Sequence, residues 1–528
     1  MFRKIFKLYK YLLFKADNEA SSSKKQIEKI PKSLGNVKLQ LSNIFEDCSD
    51  FVCREATIGK EEKHLFLIAY IDGLANKVYI QDNILSPLMV KSRNLELSHS
   101  FDSHDSSYVL KNVLITASDL QETIDFQKSI DSILSGDTVI YIDGSNTAFI
   151  IGTKGWDTRN IEESQTEAVV RGPREGFVET LRTNTALIRR KIKNPKLKFE
   201  SMELGEKTKT QICICYIKGL ANEEILNTVR RRLENIKIDA ILESGYLEQF
   251  IEDAPFSLFP TVGNSEKPDK VAAKLLEGRV AILCDGTPFV LTVPFLFIET
   301  IQASEDYYAR TYYGSLTRWL RALAMFISGT LPSLYVAVQA FHPDVIPFKL
   351  LLSISTSREG VPLSPFAEVM FMGIVFQLLR EAGIRMPRAV GQAVNIVGAL
   401  VIGEAAVQAG LVSPFMVIVV ALTGITSFLI PPLGDTLPIF SMILVIAANI
   451  LGFMGIFLML MVFFIHMCSL RSFGVPYLSP LAPLSLPDLK DTFIRVPLWM
   501  MRTRPRVLTW DNEKAKYRMD KTVIKKED

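Results

Sequence analysis

Pro438–Cys468 reads PIFSMILVIAANILGFMGIFLMLMVFFIHMC, an apolar run long enough to cross a bilayer and still tilt or bend. A hydrocarbon core of about 30 Å needs roughly 20 apolar residues at a rise of 1.5 Å each. Working back along the chain, four more windows approach or meet that length: Ser413–Ile430, Val390–Ala409, Pro362–Leu379 and Ala322–Phe341. The last of these is entered through Tyr307, Tyr308, Tyr312, Tyr313, Arg318, Trp319 and Arg321, the aromatic and basic mixture that anchors helices at an interface. Phe289–Ile301 is too short to span and is expected to end a soluble part as a strand.

The first 300 residues carry no such run, so the overall 48% hydrophobic and 22% charged content averages two unlike halves, and the net charge of +3 says little. The predicted fold class is a duplicated α/β soluble N-terminal region followed by an all-α polytopic membrane domain. Its expected parts are a basic arm (1–34), a first α/β subdomain (35–155), a connector helix (156–194), a second α/β subdomain (195–300), a transmembrane helical domain (301–470) and a basic carboxyl-terminal tail (471–528). A soluble device fixed to a membrane device points to function in their coupling.

The duplication rests on two matches in the same order. Tyr70-Ile-Asp-Gly-Leu-Ala-Asn76 recurs as Tyr216-Ile-Lys-Gly-Leu-Ala-Asn222. Ile133-Leu-Ser-Gly136 before Val139-Ile-Tyr-Ile-Asp143-Gly144 is echoed by Leu275-Leu-Glu-Gly278 before Val280-Ala-Ile-Leu-Cys-Asp285-Gly286. Each copy is expected to run strand (Leu65–Ile71, Gln211–Ile217), Gly-Leu turn, helix, and later helix, strand, Asp-Gly turn, strand. Asp143 and Asp285 resemble paired catalytic acids only superficially, because Asp-Gly supplies the backbone angles of a tight hairpin. Between the copies, Arg182, Arg189, Arg190 and Lys191 lie on a predicted helix whose charge is expected to be a solvated face, with phosphate or headgroup binding as the alternative.

Lys and Arg placement orients the spans. Arg310, Arg318 and Arg321 precede the first window, and Arg380, Arg385 and Arg388 follow the second, so both clusters belong on the cytoplasmic side. A five-span count then puts Arg471, Lys490, Arg495, Arg502, Arg504 and Arg506 outside, against the rule. Either one window is buried or re-entrant, or the tail is an exception. The amino terminus, MFRKIFKLYKYLLFK, interleaves apolar residues with lysines and has no signal-peptide core; a basic amphipathic helix on anionic lipid and a mobile tail are its two readings.

Enzyme chemistry is not visible. There is no phosphate-cradling P-loop, no dinucleotide glycine fingerprint and no Gly-x-Ser-x-Gly elbow, and no cofactor or catalytic residue is expected. His64, His99, His104, His342 and His466 lack metal-ligand spacing, and the six cysteines form no disulfide or metal framework, so a reducing compartment suits the soluble part.

Ionisable groups in lipid cost about 2.5 to 3.5 kcal/mol on insertion scales, so Glu368 and Glu404 call for a reason. Glu368 closely follows Pro365, where a first-turn carboxylate is stabilised by the helix macrodipole. Gly391, Gly398, Ala405 and Ala409 share one side of the Val390–Ala409 helix, a small-residue stripe for helix packing bordered by Asn395. Val397, Val401, Glu404 and Gln408 share another side, where several copies around an axis would form apolar and polar rings, the makings of a gate. A single buried hydrogen bond is the plain alternative for Glu404.

Arg171-Gly-Pro-Arg-Glu-Gly-Phe177, Asn184-Thr-Ala-Leu-Ile-Arg189, Glu266-Lys-Pro-Asp-Lys270, Gly278-Arg-Val-Ala-Ile282, Asp306-Tyr-Tyr308, Leu379-Arg-Glu-Ala-Gly383 and Val401-Ile-Gly-Glu-Ala-Ala-Val407 together resemble the A subunit of the GerA-type spore germinant receptors. The resemblance covers nearly everything from about residue 35 to Arg502-Thr-Arg-Pro505. It implies a multi-pass protein of the spore inner membrane, its soluble region cytoplasmic, working with a transporter-like B subunit that binds the nutrient and a lipoprotein C subunit. It also implies a homo-oligomer in membrane lipid whose opening releases ions, with Val390–Ala409 as the pore-lining candidate, and no nucleic-acid partner. Relatives carry acidic side chains where Gly373 and Gln377 stand and a glutamine where Glu404 stands, so ion preference does not carry over. The competing expectations are a paralogous spore-membrane channel component, a secondary transporter binding substrate at Glu368 or Glu404, and a scaffold whose soluble half binds a small molecule. No internal repeat among the spans supports the transporter.

Overall fold

A computed structural model describes residues 29–58, 64–90, 119–155, 167, 169, 171–386, 401–485, 488–498, 501, 504 and 505. The amino-terminal arm before residue 29, together with Gly391, Asn395, Val397 and Gly398, lies outside the described residues. The chain divides into two compact units, Met1–Glu46 with Asp50–Trp156, and Asp47–Ser49 with Asp157–Asp528.

The first unit is built on an antiparallel sheet of β1 (Phe51–Ile58), β2 (His64–Ile71), β3 (Leu120–Thr123), β4 (Thr138–Ile142) and β5 (Ala148–Ile151), in the order β1-β2-β4-β5-β3. The second unit repeats the order: β6 (Leu197–Leu204), β7 (Thr210–Ile217), β8 (Gly263–Ser265), β9 (Val280–Cys284) and β10 (Val290–Val293) run β6-β7-β9-β10-β8. The repeated heptapeptide has the same work in both. Its terminal asparagine caps the next helix, Asn76 Oδ1 accepting from Tyr79 N at 3.0 Å and Asn222 Oδ1 from Glu224 N at 2.9 Å.

The Asp-Gly turns also match. Gly144 and Gly286 sit at φ 81° and 88°, the left-handed region that favours glycine. Their aspartates reach back to a preceding helix: Asp143 Oδ1 accepts from Leu34 N at 3.1 Å, and Asp285 Oδ1 from Leu181 N at 2.9 Å. The helix Leu181–Lys191 therefore has in the second module the place that Leu34–Ile44 has in the first. This corrects the solvated-face reading of its basic residues. Arg189 is fully buried, donates to the Leu197 carbonyl at 3.1 Å and lies over the Phe199 ring, while Arg190 and Lys191 both pair with Glu175. Packing against the sheet buries Arg189, and Lys191 stays exposed but paired.

Period-two alternation on β7 and β9 feeds two cores. Ile212, Ile214, Val280 and Ile282 pack with Ile225, Val229 and Leu233 on one face; Cys213, Cys215, Ala281 and Leu283 pack with Leu187, Ile188 and Leu275 on the other. The first core is completed from far along the chain by Phe473 and Val475. The carboxyl-terminal segment thus returns to the second sheet, where Ser472 Oγ donates to the Thr261 carbonyl at 2.6 Å and accepts from Phe295 N at 2.9 Å.

Between sheet and return lies a layer of helices, including Thr311–Ala340, Phe348–Ser357, Pro365–Arg385, Pro414–Ser427 and Thr436–Ser469, with 401–408 also helical. By length and composition two of these could cross a membrane, Thr311–Ala340 and Thr436–Ser469; Pro414–Ser427 is apolar but shorter. The second is not straight. Gly452 has φ 58° and ψ −138°, a non-helical conformation, and the Phe440 and Phe463 rings lie 4.5 Å apart. In a straight helix the 23 residues separating them would span about 35 Å. Thr436–Ser469 is therefore two antiparallel arms joined at Gly452, whose tip packs on Phe341 and His342 just past the end of the first long helix.

Candidate functional site: the paired charges of the helix layer

The helix layer has one end against the second α/β module and one distal end. At the module end, Asp306, just ahead of Thr311–Ala340, is only 2% exposed. Its carboxylate accepts from Arg318 Nε at 3.0 Å and from Arg321 Nη1 and Nη2 at 2.9 and 2.6 Å. Arg318, fully buried, also donates from Nη1 to Asp491 Oδ1 and to the Asp491 and Thr492 carbonyls, each at 2.9 Å. Arg495 closes the ring by donating to the carbonyls of Tyr307 and Ala309, both at 3.1 Å. Burial by itself would raise the Asp306 pKa, but the hydrogen bonds and charge of Arg321, with Arg318 behind it, hold it below the ordinary aspartate value. Arg318 and Arg321 are thus partners in a lattice joining the end of the second module, the first long helix and the carboxyl-terminal segment.

A second buried group supports the first. Glu299, six residues past β10, faces Arg279 and Lys274, the latter at 2.9 Å, and accepts from Leu296 N at 2.7 Å. Desolvation opposes its ionisation, yet Arg279 first and Lys274 next push its carboxyl down to about 2. Lys274, stripped of water, falls to about 8 despite Glu299.

At the distal end Glu368 is fully buried. It pairs with Arg358 at 2.9 Å and accepts from Ser413 N at 3.0 Å, while Ser413 Oγ meets Tyr335 OH at 3.0 Å. Its position in the first turn of Pro365–Arg385 agrees with the macrodipole reading, and the Arg358 ion pair adds a partner that local sequence did not reveal.

The 401–408 helix behaves differently. Gly403 and Ala406 turn inward, the glycine against Val417. Val401, Glu404, Ala405 and Gln408 are exposed, and at spacings of three and four residues they share one outward face. Glu404 accepts from Gln408 Nε2 at 3.1 Å and has no partner on another helix among the described residues. Among the described residues, Ala405 of the packing stripe thus shares its uncovered face with Val401, Glu404 and Gln408 of the gate. Gly373 and Gln377 instead line a mainly apolar cavity of about 520 Å³, between Pro365–Arg385 and its neighbouring helices.

The missed residues are the ion-pair partners Lys274, Arg279, Glu299 and Asp491. Glu299 is 20 residues from Arg279, and Asp491 is 173 from Arg318, and nothing in hydropathy or spacing links these acids to their basic partners, Lys274 included. The strings that carried the family resemblance do mark the joints: Arg279 and Asp306 are in them, Tyr308 OH donates to Asp269 at 2.5 Å, Gly172 lies against the Tyr308 ring, and Arg380 donates to the Gly434 carbonyl at 3.1 Å.

A second α/β module locked by buried ion pairs to a layer of apolar helices defines a two-part architecture of duplicated α/β modules followed by a helical region. The chain belongs to the Bacillus/Clostridium GerA spore germination protein family, whose family model it matches over residues 39–507, and thus to the A subunits of spore germinant receptors. It is 44% identical over 467 residues to spore germination protein KA of Bacillus subtilis (strain 168), covering 88% of this chain and 85% of that one. It is 44% identical over 475 residues to the uncharacterized membrane protein YfkQ of the same organism (89% and 91%), and 40% identical over 443 residues to spore germination protein GerLA of Bacillus cereus (84% and 89%). The crystal structure of the N-terminal domain of the A subunit of the Bacillus megaterium spore germinant receptor GerK3 is similar at 34% identity, covering 52% of this chain and 99% of that one with a TM-score of 0.41.

Proposed function

We propose that this chain is the A subunit of a nutrient-gated ion channel of the spore inner membrane, oligomeric, non-enzymatic, and assembled with a transporter-like B subunit and a lipoprotein C subunit. The observation that carries this reading is the uncovered helical face of Val401, Glu404, Ala405 and Gln408. A carboxylate left facing acyl chains costs about 2.5 to 3.5 kcal/mol, a cost removed when the face lines water enclosed by several copies. Glu368, by contrast, is already ion-paired with Arg358 and hydrogen-bonded by Ser413 N, which argues against the transporter alternative in which it binds substrate.

The same reading assigns a topology. The Gly452 turn makes Pro438–Cys468 two crossings, so that the five windows become six and the chain enters and leaves the layer on the side of the second module. Arg318, Arg321, Arg380 and Arg495 then gather on one side, as the positive-inside rule asks, and the conflict over the tail disappears. That side is the cytoplasm of the spore.

Reconstitution of the purified oligomer tests the channel. Val401→Ala is expected to widen a constriction and raise basal conductance, and Glu404→Gln to weaken cation preference. Unchanged conductance and selectivity in both variants would remove the 401–408 face from the ion path.

A further inference from the structure

Between the helix Ser244–Ile251 and β8, the chain runs Ala254-Pro-Phe-Ser-Leu-Phe259, without a charged residue. The loop is bolted to the base of the Gly452 hairpin on both arms. Thr436 Oγ1 donates to the Leu258 carbonyl at 2.6 Å, Ser257 Oγ and His466 Nε2 are 2.9 Å apart, and the buried Phe259 ring lies 6.4 Å from those of Phe440 and Phe463. The nearest acid on the amino-terminal side, Asp253, is tied to Arg232. Phe256, at the apex, is 103% exposed, as free as a side chain can be.

Level decides what Phe256 meets. From Gly452 to His466 the arm rises about 21 Å, and from Thr436 to Gly452 about 24 Å, both less than a hydrocarbon core of about 30 Å. If the hairpin crosses the bilayer, as the reading above holds, its base lies at or inside the boundary of the nearer leaflet. We propose that the 254–259 loop of the second α/β module is embedded in that leaflet, with Phe256 as its anchor among lipid chains. The occupant is bilayer lipid and not protein: the apex ring projects at the level of the hairpin base, where Asp435 is exposed and the next outward side chains along the arms, Ile439 and Phe464, are apolar, and the loop itself brings no charge that lipid would have to desolvate. The second module is then seated in the membrane by two joints, the arginine lattice and this loop, and movement of the hairpin carries the sheet with it.

The test uses the full-length chain in phosphatidylcholine–phosphatidylglycerol vesicles, with Cys48, Cys53 and Cys468 replaced by serine and a nitroxide at Phe256→Cys. Collision with oxygen, which concentrates in the bilayer, is compared with collision with a water-soluble nickel chelate. Ile446→Cys, outward on the first arm, and Glu234→Cys, exposed on the second module, give the lipid and water references. Phe256 is expected to resemble Ile446. Nickel access at Phe256 with oxygen access at Ile446 would overturn the anchor alone, as would protection of Phe256 from both agents, which would mean a protein cover. Nickel access at Ile446 would overturn the spanning reading itself.

Discussion

Replacing Gly452 should open the hairpin. Its φ of 58° and ψ of −138° form the mirror image of a polyproline conformation, which no L side chain adopts without strain of about 1 to 3 kcal/mol. A methyl group there would also stand 3.0 Å from His342 Nε2 and 3.1 Å from Phe341 Cβ, and His342 cannot swing aside because it is stacked on Phe453 at 4.7 Å. Gly452→Ala is therefore expected to cost about 2 kcal/mol, a weakening of the closed hairpin by about thirtyfold. Nitroxides at Ile439→Cys and Phe464→Cys, both outward positions, read the geometry directly. Helices packed 8–10 Å apart put the labels within about 20 Å, whereas an uninterrupted helix would hold them about 38 Å apart. The native glycine should give the short distance, and the alanine variant a broadened distribution with a lower denaturation midpoint. A long distance in the native chain, or an alanine variant as stable as the original, would refute the fold-back.

Arg318→Ala should destabilise the chain by about 3 to 5 kcal/mol, because it strands the buried Asp306 beside fewer partners, and limited proteolysis should then release the 470–505 segment; a protected segment would count against the lattice. Acid should act through Glu299. With its folded pKa lowered from 4.5 to about 2, the stability it contributes is complete above its ordinary value and is lost as pH falls toward 2. The denaturation midpoint followed across that window should decline less steeply in Glu299→Gln, and equal slopes would dismiss the carboxylate as the cause.

The duplication was legible because it is local: Gly-Leu-Ala-Asn sets a turn and a cap, and Asp-Gly a hairpin, within a few residues each. The fold-back was not. Gly452 sits in Leu451-Gly-Phe453, amid apolar residues that suit a continuing helix as well as a turn, and one glycine in a helical pattern is ordinary. What reverses the chain is the packing of Phe440 on Phe463, which no window of hydropathy registers. Glu368 was half legible, its first-turn position visible and its Arg358 partner hidden across a loop. For Glu404 the sequence offered a gate face or a single buried hydrogen bond, and only the inward turn of Gly403 and Ala406 leaves its side chain exposed beside Ala405.

The place of Phe473 and Val475 in the second sheet's core sets an order of events during synthesis. A ribosome that has completed β10 has made all the strands of that sheet, yet the core on one face lacks Phe473 and Val475 until the apolar helices have also left the tunnel. Chains that stall before residue 475 leave this core short of two apolar side chains, so that only polypeptides made beyond that point acquire a finished second module.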